Sequence, residues 1–337
     1  MNTGNPGRFN NFKLGSMNQT RREFIKTASA ASAGAIISPK LFSGAQTSKA
    51  KNYPFCVFTK CLQFLDYTQL GEALANIGFK GAELSVRDEG HVLPENVKTD
   101  LPRAIKTLQK AGISVPMMVT GIINAEDPLT ETILGTASDL GVGYYRMGYL
   151  NYNPAKSVME NLTVHKKTFD KLEKINRKFG IQGSYQNHAG TNIGGPVWDL
   201  HWLVNGCDPE FIGVQYDIRH AVAEGGTAWP LGMKLLSPWI RTTAIKDFYW
   251  KKENGKWKIT NVPLNEGMVN FDAYIKEYIS LGISGPVTIH YEYDLGGAQS
   301  GSKNPTMSLK EISDFMKNDL NWLKNKFKEH GILGSFG

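Results

Sequence analysis

Apolar and polar positions along this chain alternate between two periods. Short runs rich in Val, Ile, Thr and aromatic residues are separated by longer segments whose apolar residues recur at helical spacing. The pattern predicts strands at 55–59, 80–86, 113–119, 143–149, 183–188, 211–217, 240–247 and 287–293. Helices are expected at 66–77, 101–111, 128–140, 155–179, 198–204, 271–281 and 309–327. In the first helix Leu70, Leu74 and Ile77 share one face, and in the second Leu101, Ile105 and Leu108 do. Pro102 is expected in that second helix's first turn, where its missing N–H costs nothing, with Gly112 just past the end. Gly180 stops the long fourth helix.

Two stretches break the rhythm. The segment 221–238 is Gly-rich and interrupted by Pro, so a short or broken helix is expected there. Alternating residues around Glu253-Asn-Gly-Lys256 signal a β-hairpin inserted after strand seven, a lid or rim. The remainder is the strand–helix repetition of a parallel α/β sheet closed as a (βα)8 TIM barrel, whose chemistry collects at the strand ends.

The barrel is expected to occupy 51–337 of the 337 residues as a single domain, with a leader over 1–50. Arg21 and Arg22, the weakly apolar run 27–37 and the small residues around Ala45 resemble a twin-arginine export leader. That resemblance implies passage through the Tat translocase and a periplasmic or secreted protein; translation could begin at Met1 or at Met17. The leader also accounts for the charge. Its seven basic residues and one acidic residue leave the rest of the chain near +1 out of a total of +7. A nearly neutral body offers no basic face for nucleic acid. Cys56, Cys61 and Cys207 match no metal spacing and read as buried free thiols. No apolar run reaches the roughly 18 residues of a membrane span, so no membrane anchor is expected in the mature form. Homo-oligomer formation stays open.

Strand alternation places Gln186 with His188, and His290 with Glu292, on one side of their strands, facing the barrel interior. Asp217 ends strand six, His220 stands just above it, and Lys246 lies near the end of strand seven. Carboxylates, imidazoles and an amine converging on one volume suit proton transfer or a divalent metal. Trp229, Trp250 and Trp257 could floor a sugar pocket. The Gly-rich loop 296–302 follows strand eight, where many barrels bind phosphate, but export favours an unphosphorylated sugar.

The motifs Gln186-Asn-His-Ala-Gly190, Tyr216-Asp-Ile-Arg-His-Ala221, Ile245-Lys-Asp247, Pro263-Leu-Asn-Glu-Gly267 and the strand-eight Glu292 resemble the xylose isomerase-like barrel superfamily, over about 55–328. Glu83 also sits where many members end strand two on an acid. The resemblance implies a carbohydrate-active isomerase or epimerase, or a related lyase, that abstracts a proton next to a carbonyl on an unphosphorylated sugar or keto-sugar. For that chemistry Glu292 and Glu83 are expected as bases, Lys246 and His220 as steadying negative charge, and His188, Arg146, Trp250 and His290 as lying around the substrate. Carried over position by position, the metal ligands become Gln186, Asp217, Ala244 and Glu292. Ala244 offers no donor, so either a divalent metal (Mg, Mn, Co or Zn) is held by Gln186, Asp217 and Glu292, with His188 or His290 replacing the missing imidazole, or Lys246 and His220 supply the charge without metal. No organic cofactor is implied. The alternatives are a catalytically degenerate sugar-binding barrel and an endonuclease IV-type nuclease, whose His-rich metal cluster the Gln186 and Ala244 positions fail to provide.

Overall fold

A computed structural model describes residues 54–332, so the leader read over 1–50 lies outside the described residues. Eight parallel strands close into a barrel in the order β1-β10-β7-β6-β5-β4-β3-β2. These are β1 (Phe55–Phe58), β2 (Gly81–Ser85), β3 (Ser114–Val119), β4 (Tyr144–Arg146), β5 (Gln182–Gln186), β6 (Ile212–Asp217), β7 (Ile240–Ile245) and β10 (Val287–Ile289). Between β7 and β10 an antiparallel hairpin pairs β8 (Asp247–Glu253) with β9 (Lys256–Val262). Asn254 and Gly255 turn it with φ of 49° and 78°, the left-handed pair that a tight two-residue hairpin requires.

Around the barrel run α1 (Tyr67–Ile77), α2 (Val97–Lys110), α3 (Pro128–Asp139), α4 (Val158–Phe179), α5 (Val197–Val204), α6 (Ile218–Gly225), α7 (Trp229–Leu236), α8 (Phe271–Ser280) and α9 (Leu309–Glu329). Sequence-local caps set their starts: Asp66, Ser157 and Ser308 each close a reciprocal capping box with the residue three further on. The apolar stripe of each long helix is buried against the strands, as Leu70, Leu74 and Ile77 of α1 show.

The expected barrel, single domain, hairpin and broken sixth helix are all present. Two readings need correction. Helix α2 begins at Val97, so Pro102 lies inside it instead of in its first turn. The carbonyl this strands belongs to exposed Lys98, where water can satisfy it. Strands β4, β5 and β10 are shorter than expected, so Tyr149, His188, His290 and Glu292 stand on the segments just beyond them. All three cysteines are buried free thiols, and none of the helices among the described residues is long and apolar enough to cross a membrane.

Candidate active site

Strands β2 and β6 lie on opposite sides of the closed barrel, and their side chains meet through its centre. Gln215 Nε2 donates to Glu83 Oε1 at 3.0 Å, and His290 Nε2 lies 2.7 Å from Glu83 Oε2. Both Glu83 oxygens are therefore engaged in an interior layer with no solvent exposure. Burial works against ionisation there, but His290 and Arg146 outweigh it and hold the carboxyl below its ordinary range. Glu83 was expected as a base at the mouth. It is instead a buried anchor for His290, and His290 is correspondingly turned to Glu83 and not offered to a metal.

Two residues further along β6, Asp217 opens the next layer. Its Oδ2 accepts from Lys246 Nζ at 2.8 Å and from Gln186 Nε2 at 2.7 Å, and its Oδ1 accepts from the His220 backbone N–H at 3.2 Å. Asp217 is thus both the end of β6 and the N-cap of α6. Lys246 Nζ also lies 3.1 Å from Glu292 Oε1 and 2.7 Å from His220 Nε2. One ammonium group joins two carboxylates and an imidazole, and with 3% exposure it is out of bulk water. Burial alone would lower the Lys246 pKa, yet Asp217 and Glu292 together raise it. Glu292, despite its burial, is held well below the usual carboxylate range by Lys246 and then Lys60.

Around this centre Arg146 Nη1 donates to Gln186 Oε1 at 2.8 Å and to the Tyr149 hydroxyl at 3.0 Å, while that hydroxyl donates to Gln186 Oε1 at 2.6 Å. His188 packs at a tilt against His220, with ring centroids 4.1 Å apart, and meets Tyr149 edge-on at 5.0 Å. Burial and then Lys246 keep His188 neutral, and burial and Lys246 push His220 far down as well. His188 Nδ1 lies 3.0 Å from its neighbour's carbonyl, Ala189 O, so it carries the proton and leaves Nε2 as an acceptor.

The site therefore gathers Asp217, Lys246, Glu292, His220, Gln186, Arg146 and His188, as the sequence suggested. Trp250 does not join them: it lies on the hairpin, 39% exposed, edge-on to Phe248. The other two tryptophans also depart from a pocket floor, Trp229 packing near Tyr274 and Trp257 standing exposed on β9. Sequence reasoning missed Tyr149, Lys60 and Asn261. Asn261, on β9, accepts from Arg219 Nη2 and donates to the Glu292 carbonyl at 3.2 Å, so the hairpin's base braces the site. The spacing of Tyr149 from Arg146 and of Lys60 just past β1 was visible, but loop geometry decides their direction.

The donors do not suit a divalent ion. Gln186 turns its amide nitrogen toward Asp217 and its oxygen toward Arg146 and Tyr149. Ala244 is buried at the usual imidazole position, and among the described residues no three His, Cys, Asp or Glu side chains form a metal-binding group. The place between the two carboxylates is filled by the Lys246 ammonium, which would repel a dication. The set Gln186, Asp217 and Glu292 is thus corrected from metal ligands to partners of a lysine.

Two other sequence motifs prove structural. The Asp247 carboxylate accepts backbone N–H bonds from Phe248, Asn265, Gly267 and Val269, pinning the loop after the hairpin. A Cβ on Gly267 would stand 2.1 Å from Asp247 Oδ1, so only glycine fits.

A closed parallel barrel with a polar, ionisable cluster at its strand ends defines the general class: an α/β barrel with its candidate site at the strand ends. Residues 71–325 match the family model described as xylose isomerase-like TIM barrel, and the chain belongs to that family. Similar solved structures include the probable 3-DHS dehydratase involved in petrobactin synthesis from Bacillus anthracis, at 15% identity and TM-score 0.59, covering 81% of this chain and 99% of that one. The 3-keto-D-glucoside 4-epimerase from E. coli matches at 11% identity and TM-score 0.59, with the same 81% and 99% coverage. D-Psicose 3-epimerase from Clostridium cellulolyticum H10 matches at 10% identity and TM-score 0.61, again covering 81% and 99%. At such identities the likeness is one of fold. A search of the curated proteins gave no match.

Proposed function

We propose that this protein is an exported enzyme of the isomerase, epimerase or related lyase kind, which removes a proton next to a carbonyl of an unphosphorylated sugar or keto-sugar, with Lys246 as its built-in cation. One observation carries the reading: a buried ammonium 2.8 Å from Asp217 and 3.1 Å from Glu292, at the strand ends where related folds are described as sugar epimerases.

Lys246 has a second task. Its ammonium donates to Asp217 and Glu292, and it carries a further proton that can pass to a substrate oxygen.

The sequence of events follows. Glu292, ionised, takes the proton from the carbon beside the carbonyl, and the electron pair moves to the carbonyl oxygen. Lys246 stabilises that oxygen and can protonate it. As the ammonium turns from Glu292 to the new oxyanion, the carboxylate loses the partner that depressed its basicity. Return of the proton to the adjacent carbon gives isomerisation, delivery of a proton from water to the opposite face gives epimerisation, and loss of a β-substituent gives elimination. His188 Nε2 and Arg146 are placed to hold substrate hydroxyls.

The paired arginines ahead of the barrel support export by the twin-arginine route, where unphosphorylated sugars are met. The test is solvent deuterium exchange into neutral aldoses, ketoses and 3-keto-sugars, followed by NMR in the presence of EDTA and then of added Mg²⁺, Mn²⁺, Co²⁺ or Zn²⁺. Exchange that persists in EDTA is expected. Exchange that appears only with a metal would overturn the lysine as the cation, and no exchange under any condition would leave a sugar-binding barrel.

A further inference from the structure

On the side of β1, β2 and β3 the barrel mouth continues into a cavity of about 610 Å³. Lys60, Gln63 and Arg87 line it, together with Ser300 and Gly301 from the Gly-rich loop after β10. Lys60 and Arg87 flank one ring, 5.8 Å and 5.3 Å from the centroid of Phe58. Neither side chain makes a hydrogen bond or ion pair among the described residues, and Arg87 Nε is buried without a partner. Gln63 donates through its nitrogen to the Glu89 carbonyl, while its Oε1 is also buried and unsatisfied.

Buried polar atoms and partly buried cations are costly unless something completes them. Here the missing partners are of two kinds, an anion for Arg87 and Lys60 and a hydroxyl donor for Gln63 Oε1. The rim carries the opposite sign: Asp88, Glu89, Glu95 and Asp127 also line the cavity, but all four are exposed. Solvent screens those charges far more than the ones on the floor. They still oppose a dianion more than a monoanion. Lys60 further draws on Glu292, so the cavity adjoins the reaction centre.

We propose that this cavity is a subsite for a carboxylate-bearing sugar unit, its carboxylate on Arg87 with Lys60 as the second positive charge, and a hydroxyl donating to Gln63 Oε1. This rests on the sugar reading above and narrows the substrate class to sugar acids or glycosides that carry one.

The subsite is tested by calorimetric titration of the full chain with D-galacturonate and D-glucuronate against D-galactose and D-glucose. The acids should bind at least about tenfold more tightly, with an advantage that falls as salt is raised. Arg87→Gln should erase that ratio and leave the neutral sugars unaffected, and Arg87→Lys should restore part of it. Equal affinity for acid and neutral sugar, or an Arg87→Gln loss shared by both, would overturn the proposal. So would inorganic phosphate displacing galacturonate at lower concentration than galacturonate itself binds, which would assign the floor to a phosphate ester. These titrations require no turnover, so they stand or fall separately from the exchange experiment.

Discussion

The two sides of the barrel mouth differ in how far their charges are already matched. On the β5, β6, β7 and β10 side, Asp217, Lys246, Glu292, His220 and Gln186 are locked in mutual contacts of 2.7 to 3.1 Å. On the β1 to β3 side, Lys60 and Arg87 face a cavity without any such partner. Preorganised groups lower a barrier because they need not reorganise during the reaction. Groups left open contribute when a ligand arrives. The first side is built for chemistry and the second for recognition, so changes on the two sides should fail in different ways.

Lys246→Met should have the largest effect, because it strikes both the reaction and the fold. Turnover should fall by about 10³-fold or more, the range for losing a preorganised charge at a developing oxyanion. Buried Asp217 would also lose its cation, a change that costs about 3–5 kcal/mol in urea denaturation. The double variant Asp217→Asn/Lys246→Met should recover part of that stability and none of the activity. A single variant with undiminished stability would show that the matched side is not held by this lysine. Glu292→Gln should separate the two effects: about 10²–10⁴-fold less exchange, but a stability change near 1 kcal/mol, since its side chain is 23% exposed. The Arg87→Gln change described above belongs to the other side and should alter affinity for acids alone.

This division was only half visible in the sequence. The closed barrel followed from period and turn residues, and strand ends alone collected Asp217, Lys246 and Glu292. The hairpin was announced by Asn254-Gly255. What escaped was direction. Glu83 sits on a strand like the others, but its register carries it to the interior layer beneath the mouth, across to Gln215. Trp250 was misplaced because alternation along a hairpin does not say which face meets the barrel. Lys60 and Arg87 were hard to single out because an unpartnered cation and a solvated one look alike until the loops around them are folded.

The smallest effect concerns a carboxyl that neighbours the matched side without sharing its cation. Asp319 accepts from the Leu264 N–H at 3.2 Å and from the Tyr293 hydroxyl at 3.1 Å. Burial pushes its pKa up to about 7 against those hydrogen bonds, with Glu266 and Asp247 adding to the rise. The folded chain then binds this proton more readily than the unfolded chain, whose value is near 3.8. Its contribution to stability is complete below about pH 4 and is lost as the pH rises through about 7. Asp319→Asn keeps a neutral side chain at every pH, so the variant should match the parent at pH 4 and melt at a higher temperature than the parent at pH 8. Thermal scans at the two pH values measure it. A parent already as stable at pH 8 as the variant would mean that Asp319 finds a cation too, and that charge matching on this side extends beyond Lys246.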